Sequence, residues 1–235
     1  MQPIRFVDEG LEATRELVAR LERVAPAWER DVGPARLEAL RAQIATLERI
    51  DRQYGGEAPL KLEGAEALVA ALLTECAHFY GDLRNLPDVR EDLATLVLGV
   101  ALWAIRHDVE IEVVEPVVNA LADRSNDART PQGLAAVFGL MQGVIAHVAP
   151  RLSADLERSN PERPWRPLHL NFAITAIRTE DPALIDFAFD ALEKALPDDC
   201  EGFFAEAVAR ALSPRVKAEV RDRIEARHRK WTLVR

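Results

Sequence analysis

The chain has little of what compact functional sites are usually built from. Two of its 235 residues are cysteine, Cys76 and Cys200, far apart and without a second pair. That excludes a disulfide framework and a cysteine-based zinc site, and it makes a reducing cytoplasm the expected compartment. Lysine is scarce beside arginine, four of 30 cationic side chains, a bias expected of a GC-rich bacterial genome. There is no Gly-x-Ser-x-Gly elbow, no Cys–His signature and no Gly-Lys-Ser/Thr loop, so nucleophilic catalysis and nucleotide binding find no motif. The longest apolar run, Leu93 to Ile105, is interrupted by Thr95 and falls short of the ~20 residues of a membrane span. Met1-Gln2-Pro3-Ile4-Arg5 carries no apolar core of a secretion signal. Neither sustained period-two alternation nor an Asn-Gly or Asp-Gly hairpin turn occurs, so no strands are expected.

What is present points to helices. Hydrophobic residues make up 49% and charged residues 29%, the balance of an ordered globular chain. A net charge of -9 disfavours nonspecific attraction to nucleic acid or anionic membrane, so neither is expected as a partner. Apart from Pro161 and Pro164, the prolines from Pro116 on recur at 131, 150, 167, 182, 197 and 214, every 15 to 19 residues. Proline is tolerated in the first turn of a helix and not in its interior, so this series marks the ends of short consecutive helices. Before residue 108 the spacing is wider and the helices are longer. The expected organisation is a long-helix half over 1–108 and shorter stacked hairpins over 109–235, joined as one continuous unit.

Apolar stripes at helical spacing fill both regions. Leu37, Leu40, Ile44, Leu47, Ile50 and Tyr54 make one, stopped by Gly55-Gly56; an earlier one runs from Leu11 to Val24. Leu68 to Tyr80 and Leu134 to Val148 make others, and the run from Leu93 reads as a helix buried on most faces. Asp88 with Glu91 reads as a capping box. Thr130-Pro131, Asp181-Pro182 and Ser213-Pro214 each predict a capping side chain followed by proline at the first helical position. The fold class is therefore all-α, a helical-hairpin stack of about nine or ten helices, α-solenoid-like.

Ala188-Phe-Asp-Ala-Leu192-Glu-Lys-Ala195-Leu196 resembles the second helix of a tetratricopeptide repeat. Pairs of proline intervals bracket the length of that repeat, whereas its Trp, Leu-Gly and Tyr positions are not recovered on the preceding helix. The resemblance implies a curved stack of helix pairs with a protein-binding groove and no catalytic residues.

Candidate chemistry is sparse. Glu75-x-x-His78 and Glu225-x-x-His228 have the spacing used in dimetal carboxylate bundles, but the second lies in a cationic stretch hostile to a dication. His78, His107 and Asp108, completed by Asp123 or Asp127, would suit a metal-dependent hydrolase or oxidase. The plainer reading of Arg106-His107-Asp108 is the end of a buried helix. Ser159 to Pro167 holds three prolines in seven residues, and Arg163, Trp165, Arg166 and nearby His169 are the candidate partner-binding residues. Charge is also segregated: Glu180 to Glu206 carries nine acidic residues and one basic, and Arg215 to Arg235 eight basic and three acidic. The basic end reads as a solvated capping helix and a second candidate contact. The expected function is a non-enzymatic helical-repeat protein that binds a protein or peptide, with no cofactor or metal.

Overall fold

A computed structural model describes residues 19–20, 23, 33–54, 63–82, 87–148, 164–214 and 216–233. The stripe expected between Leu11 and Val24 lies almost wholly outside them. Among the described residues the chain is all-α, with nine α-helices and no strand beyond an isolated parallel bridge between Ile111 and Val148. The contacts divide it into two compact units that are not contiguous in sequence. One takes residues 1–124 and 143–157, the other 125–142 and 158–235.

The first unit holds α1 (Gly33–Tyr54), α2 (Ala65–Asp82), α3 (Pro87–Arg106) and most of α4 (Glu115–Asp127). α1 packs on α2 and α2 on α3. The stripes predicted for α1 and α2 are buried at Leu37, Leu40, Ile44, Leu47, Val69, Leu72, Leu73, Cys76 and Phe79. α3 is buried nearly all round: Leu93, Val97, Leu98, Ala101, Trp103 and Ala104 are each almost fully covered. α3 starts at Pro87, one residue before the predicted opening at Asp88. Two bidentate contacts from Arg90 to Asp123, at 3.0 and 2.9 Å, tie α3 to α4.

α3 stops because Asp108 turns left-handed, with φ 54°. The Val109 N–H donates to Ala104 O at 2.9 Å and the Asp108 N–H to Ile105 O at 3.3 Å. This pair of bonds satisfies two carbonyls that the helix end leaves open, the geometry of a Schellman cap. Val109, buried beside Ala104, supplies the apolar contact that accompanies such a cap. The next residues turn back, and the Ile111 N–H donates to His147 O at 2.7 Å. Close approach at Gly143 completes this corner, since a Cβ there would meet Ile105 Cδ1 at 2.9 Å.

The second unit holds the first turns of α5 (Pro131–His147), then α6 (Trp165–Thr179), α7 (Pro182–Ala195), a 3-10 turn (Pro197–Asp199), α8 (Cys200–Ala211) and α9 (Ala218–Thr232). α6 packs on α7, α8 on α9, and α9 also on α7. Two of the predicted caps form. Thr130 Oγ1 accepts from the Gly133 N–H at 3.1 Å, and Asp181 Oδ1 accepts from the N–H groups of Ala183 and Leu184 at 2.8 and 3.3 Å. The core is aromatic: Phe138 stacks on Phe172 at 4.3 Å, and Phe189 meets Phe204 edge-on at 5.0 Å.

Pro197 follows the end of α7 and opens the 3-10 turn, and α8 begins at Cys200. One expectation is corrected. Ser213-Pro214 does not start the last helix, which begins at Ala218 after an N-cap, Lys217, that makes no side-chain capping bond. Ser213 instead offers its carbonyl to the Val216 N–H at 3.1 Å. Arg221 reaches back to Ala211 O, Ser213 O and Val216 O at 3.0, 3.4 and 3.4 Å. One guanidinium thus donates to the open carbonyls at the end of α8 and in the turn, while the N–H groups that start α9 have no side-chain cap. Leu212, at helical spacing after Val208, falls beyond the end of α8 and is 71% exposed.

Asp108→Gly tests the cap. Glycine adopts φ > 0 without the Cβ clash that aspartate carries, so the variant is expected to gain about 0.5–1 kcal/mol, read as a higher midpoint in urea unfolding. An unchanged or lower midpoint would show that the left-handed turn is not what stops α3.

Candidate functional site

The residues singled out for partner binding gather at the start of α6, where the structure turns them toward the chain itself. Arg163 lies outside the described residues. Arg166 donates from Nε and Nη2 to Asp199 Oδ1, at 3.0 and 2.7 Å, and so clamps the first turn of α6 to the 3-10 turn. Trp165 sits edge-on to His169 with ring centroids 4.4 Å apart. His169 is 3% exposed, and neither ring nitrogen has a hydrogen-bond partner. Burial pushes its pKa down to about 4, so the imidazole is neutral and acts as an aromatic wall.

The alternative metal set does not come together. His78 is exposed, with Nδ1 3.9 Å from Glu75 Oε2. His107 is buried on the ring of Trp103 at 4.4 Å. Asp108 is the exposed cap residue, 3.5 Å from His147 Nε2, and Asp123 is held by Arg90. Glu225 pairs with Arg229 at 3.6 Å. Among the described residues no three His, Cys, Asp or Glu side chains are grouped to hold a metal ion. Both cysteines are buried, and burial before all else pushes their thiols up to about 12, leaving neither as a nucleophile near neutral pH.

The two segregated charge runs find each other. Arg223 binds Asp186, Arg227 binds Asp190 at 2.7 Å, Lys230 binds Glu193, and Lys217 binds Glu180 at 2.7 Å. Every one of these pairs joins residues 37 apart. A constant offset of one sign means that α9 lies parallel to α7 and in register with it. Glu193 is the hub, with its side chain only 11% exposed. Burial alone would raise its pKa, but donation from Lys230, Trp231 and Arg227 prevails and holds the carboxyl below its ordinary value. The Trp231 Nε1–H donates to it at 2.9 Å, and Arg227 lies over the Phe189 ring at 5.9 Å.

Beside the hub a cleft of about 460 Å³ is lined by Asp190, Glu193, Lys194, Lys230 and Trp231. Elsewhere on α7, Phe187 remains 49% exposed while its ring rests edge-on against Phe138 and Phe172, at 6.4 and 6.2 Å. Sequence reasoning found both charge runs and missed their pairing. The signal was there: Asp186, Asp190 and Glu193 repeat the spacing of Arg223, Arg227 and Lys230. Phe187 carried no such signal, because it falls off the buried stripe of its helix.

The buried imidazole has a measurable consequence. His169 folds with a pKa near 4 against 6.5 when unfolded, so between those values the unfolded chain binds more protons. The stability it protects is complete above pH 6.5 and is lost as pH falls toward 4, by about 3 kcal/mol at the limit. His169→Leu should remove that part of the pH dependence and be near neutral at pH 7, since it deletes an unpartnered polar group. Parallel urea titrations at pH 7 and pH 5 check it, and equal pH slopes in the two proteins would refute it. Comparison of the chain with protein-family models, with characterised proteins and with solved structures found no match.

Proposed function

We propose that this is a cytoplasmic, non-enzymatic helical-hairpin protein, tetratricopeptide-like in its second unit, that binds a protein or peptide partner. The observation that carries the reading is Phe187. A phenylalanine half in solvent yet pinned edge-on to two buried rings has already lost its rotamer freedom. A rigid aromatic of this kind is the usual anchor of a protein interface, because little further ordering opposes contact. Arg166 and His169 are committed to the chain's own interior, so the contact is assigned to Phe187 and no longer to them. The cations of α9 favour a protein over nucleic acid: Arg221, Arg223, Arg227, Arg229 and Lys230 all have partners in the chain. No stripe of free basic groups is left among them to follow a phosphate backbone.

A photoreactive phenylalanine analogue at position 187 is expected to give one saturable protein adduct in cell extract. The same analogue at Ala205, exposed on α8, should give none. Phe187→Ser should cost about 1 kcal/mol of stability or less, given the residue's half exposure, and should abolish an adduct formed through a neighbouring position. Adducts that are identical at 187 and 205, or that appear only from analogues at Arg163 or Trp165, would overturn the assignment.

A further inference from the structure

The geometry points to α7 as a receptor for a basic helix, a site that α9 of the same chain fills in this structure. We infer that the partner of the acidic row Asp186, Asp190 and Glu193 is a helical segment carrying cations one turn apart, with an aromatic next to the last of them. The inference rests on the reading of this protein as a binding module. α9 is the template for the occupant: Arg223, Arg227 and Lys230 meet the three carboxylates, and Trp231 donates to the hub.

α9 packs more extensively on α8 than on α7, and what holds it to α7 is chiefly the row of ion pairs. Of its fifteen residues only Val220 and Ile224 are buried, whereas α7 buries Ile185, Ala188, Phe189 and Leu192. Its start makes no side-chain capping bond. The described residues that lead into it, Leu212, Ser213, Pro214, Val216 and Lys217, are not helical, and Leu212 and Lys217 are exposed. Ion pairs near the surface each contribute little, about 0.2–1 kcal/mol, and weaken as salt rises. A row of them is therefore specific in register and exchangeable in occupancy.

The receptor side, by contrast, is made to last. Asp181 caps α7 through two backbone N–H groups. Glu193 is nearly buried and Phe189, under Arg227, is fully so. The cleft at the end of the row runs between Asp190, Glu193 and Lys194 of α7 and Lys230 and Trp231 of α9. A basic helix of a partner would reuse the same carboxylates and the same cation–aromatic contact at Phe189. Tethering gives α9 an effective concentration in the millimolar range, so an untethered helix competes well only once the tethered one is weakened.

The test uses the full chain and, as probe, a fluorescently labelled peptide of residues 216–235. Its anisotropy should show weak binding to the unaltered protein and binding at least about tenfold tighter to the variant Arg223→Ala, Arg227→Ala, Lys230→Ala, in which the competing helix has lost its rungs. Adding Asp190→Asn and Glu193→Gln to that variant should abolish the gain. If the triple variant loses helical content by circular dichroism, Arg227→Ala alone carries the same comparison. No binding to a folded variant, survival of binding without the carboxylates, or equal binding of a scrambled peptide would each overturn the inference. Adduct formation at Phe187 is read separately, so the binding-module reading can stand while this one falls.

Discussion

Short helices cannot stand alone in water, and that constraint governs the second unit. α6, α7, α8 and α9 run 15, 14, 12 and 15 residues, about the length at which an isolated helix is marginal. Each therefore needs a neighbour to cover its apolar stripe, and each has one. α6 and α7 cover one another, α8 and α9 do the same, and α9 returns to α7. Aromatic contacts join further helices to these pairs, Phe138 to Phe172 between α5 and α6 and Phe189 to Phe204 between α7 and α8. Packing supplies the free energy; charge settles how the partners are aligned.

Helix ends pose a second demand, and arginine meets it repeatedly. The last carbonyls of a helix have no partner within it. Arg178, on α6, donates to Ser125 O and Ala128 O at the end of α4, at 2.6 and 3.1 Å. Its neighbour Thr175 shares a 2.8 Å hydrogen bond with Ser125. Arg221 performs the same service for α8. A planar guanidinium can reach two or three carbonyls at once, where an ammonium meets them as a point charge. Part of the excess of arginine over lysine thus has a structural use in this fold, apart from any bias of the genome.

The fold was legible in the sequence wherever one helix determines its own signals. Apolar spacing placed the stripes of α1, α2, α5 and α7, and Thr130 and Asp181 announced their caps. The signals that failed were those another element overrides. Ser213 does not cap because α9 starts only at Ala218, after a turn whose carbonyls Arg221 holds from the following helix. Leu212 fitted the spacing but lies past the helix end. At the start of α6, the loop-like look of Trp165 and Arg166 hid the fact that Asp199 waits for the guanidinium 33 residues later. Helical periodicity describes one cylinder at a time, and such contacts depend on two.

The charge row shows what a sequence can encode without any single helix revealing it. Sliding α9 toward its C-terminus by one turn would set Glu219 against Asp186 and Ala226 against Glu193, a like-charge contact and an unanswered carboxylate. Sliding it the other way would set Trp231 against Asp190 and Val234 against Glu193. Only the observed register answers Glu180, Asp186, Asp190 and Glu193 together. Apolar contacts alone discriminate weakly here, because α9 buries just Val220 and Ile224, one turn apart, and a slip of one turn keeps one of them in place. Register is thus set by repulsion in the wrong alignments as much as by attraction in the right one. A surface that rejects its own helix one turn out of place already discriminates among basic helices by the spacing of their charges.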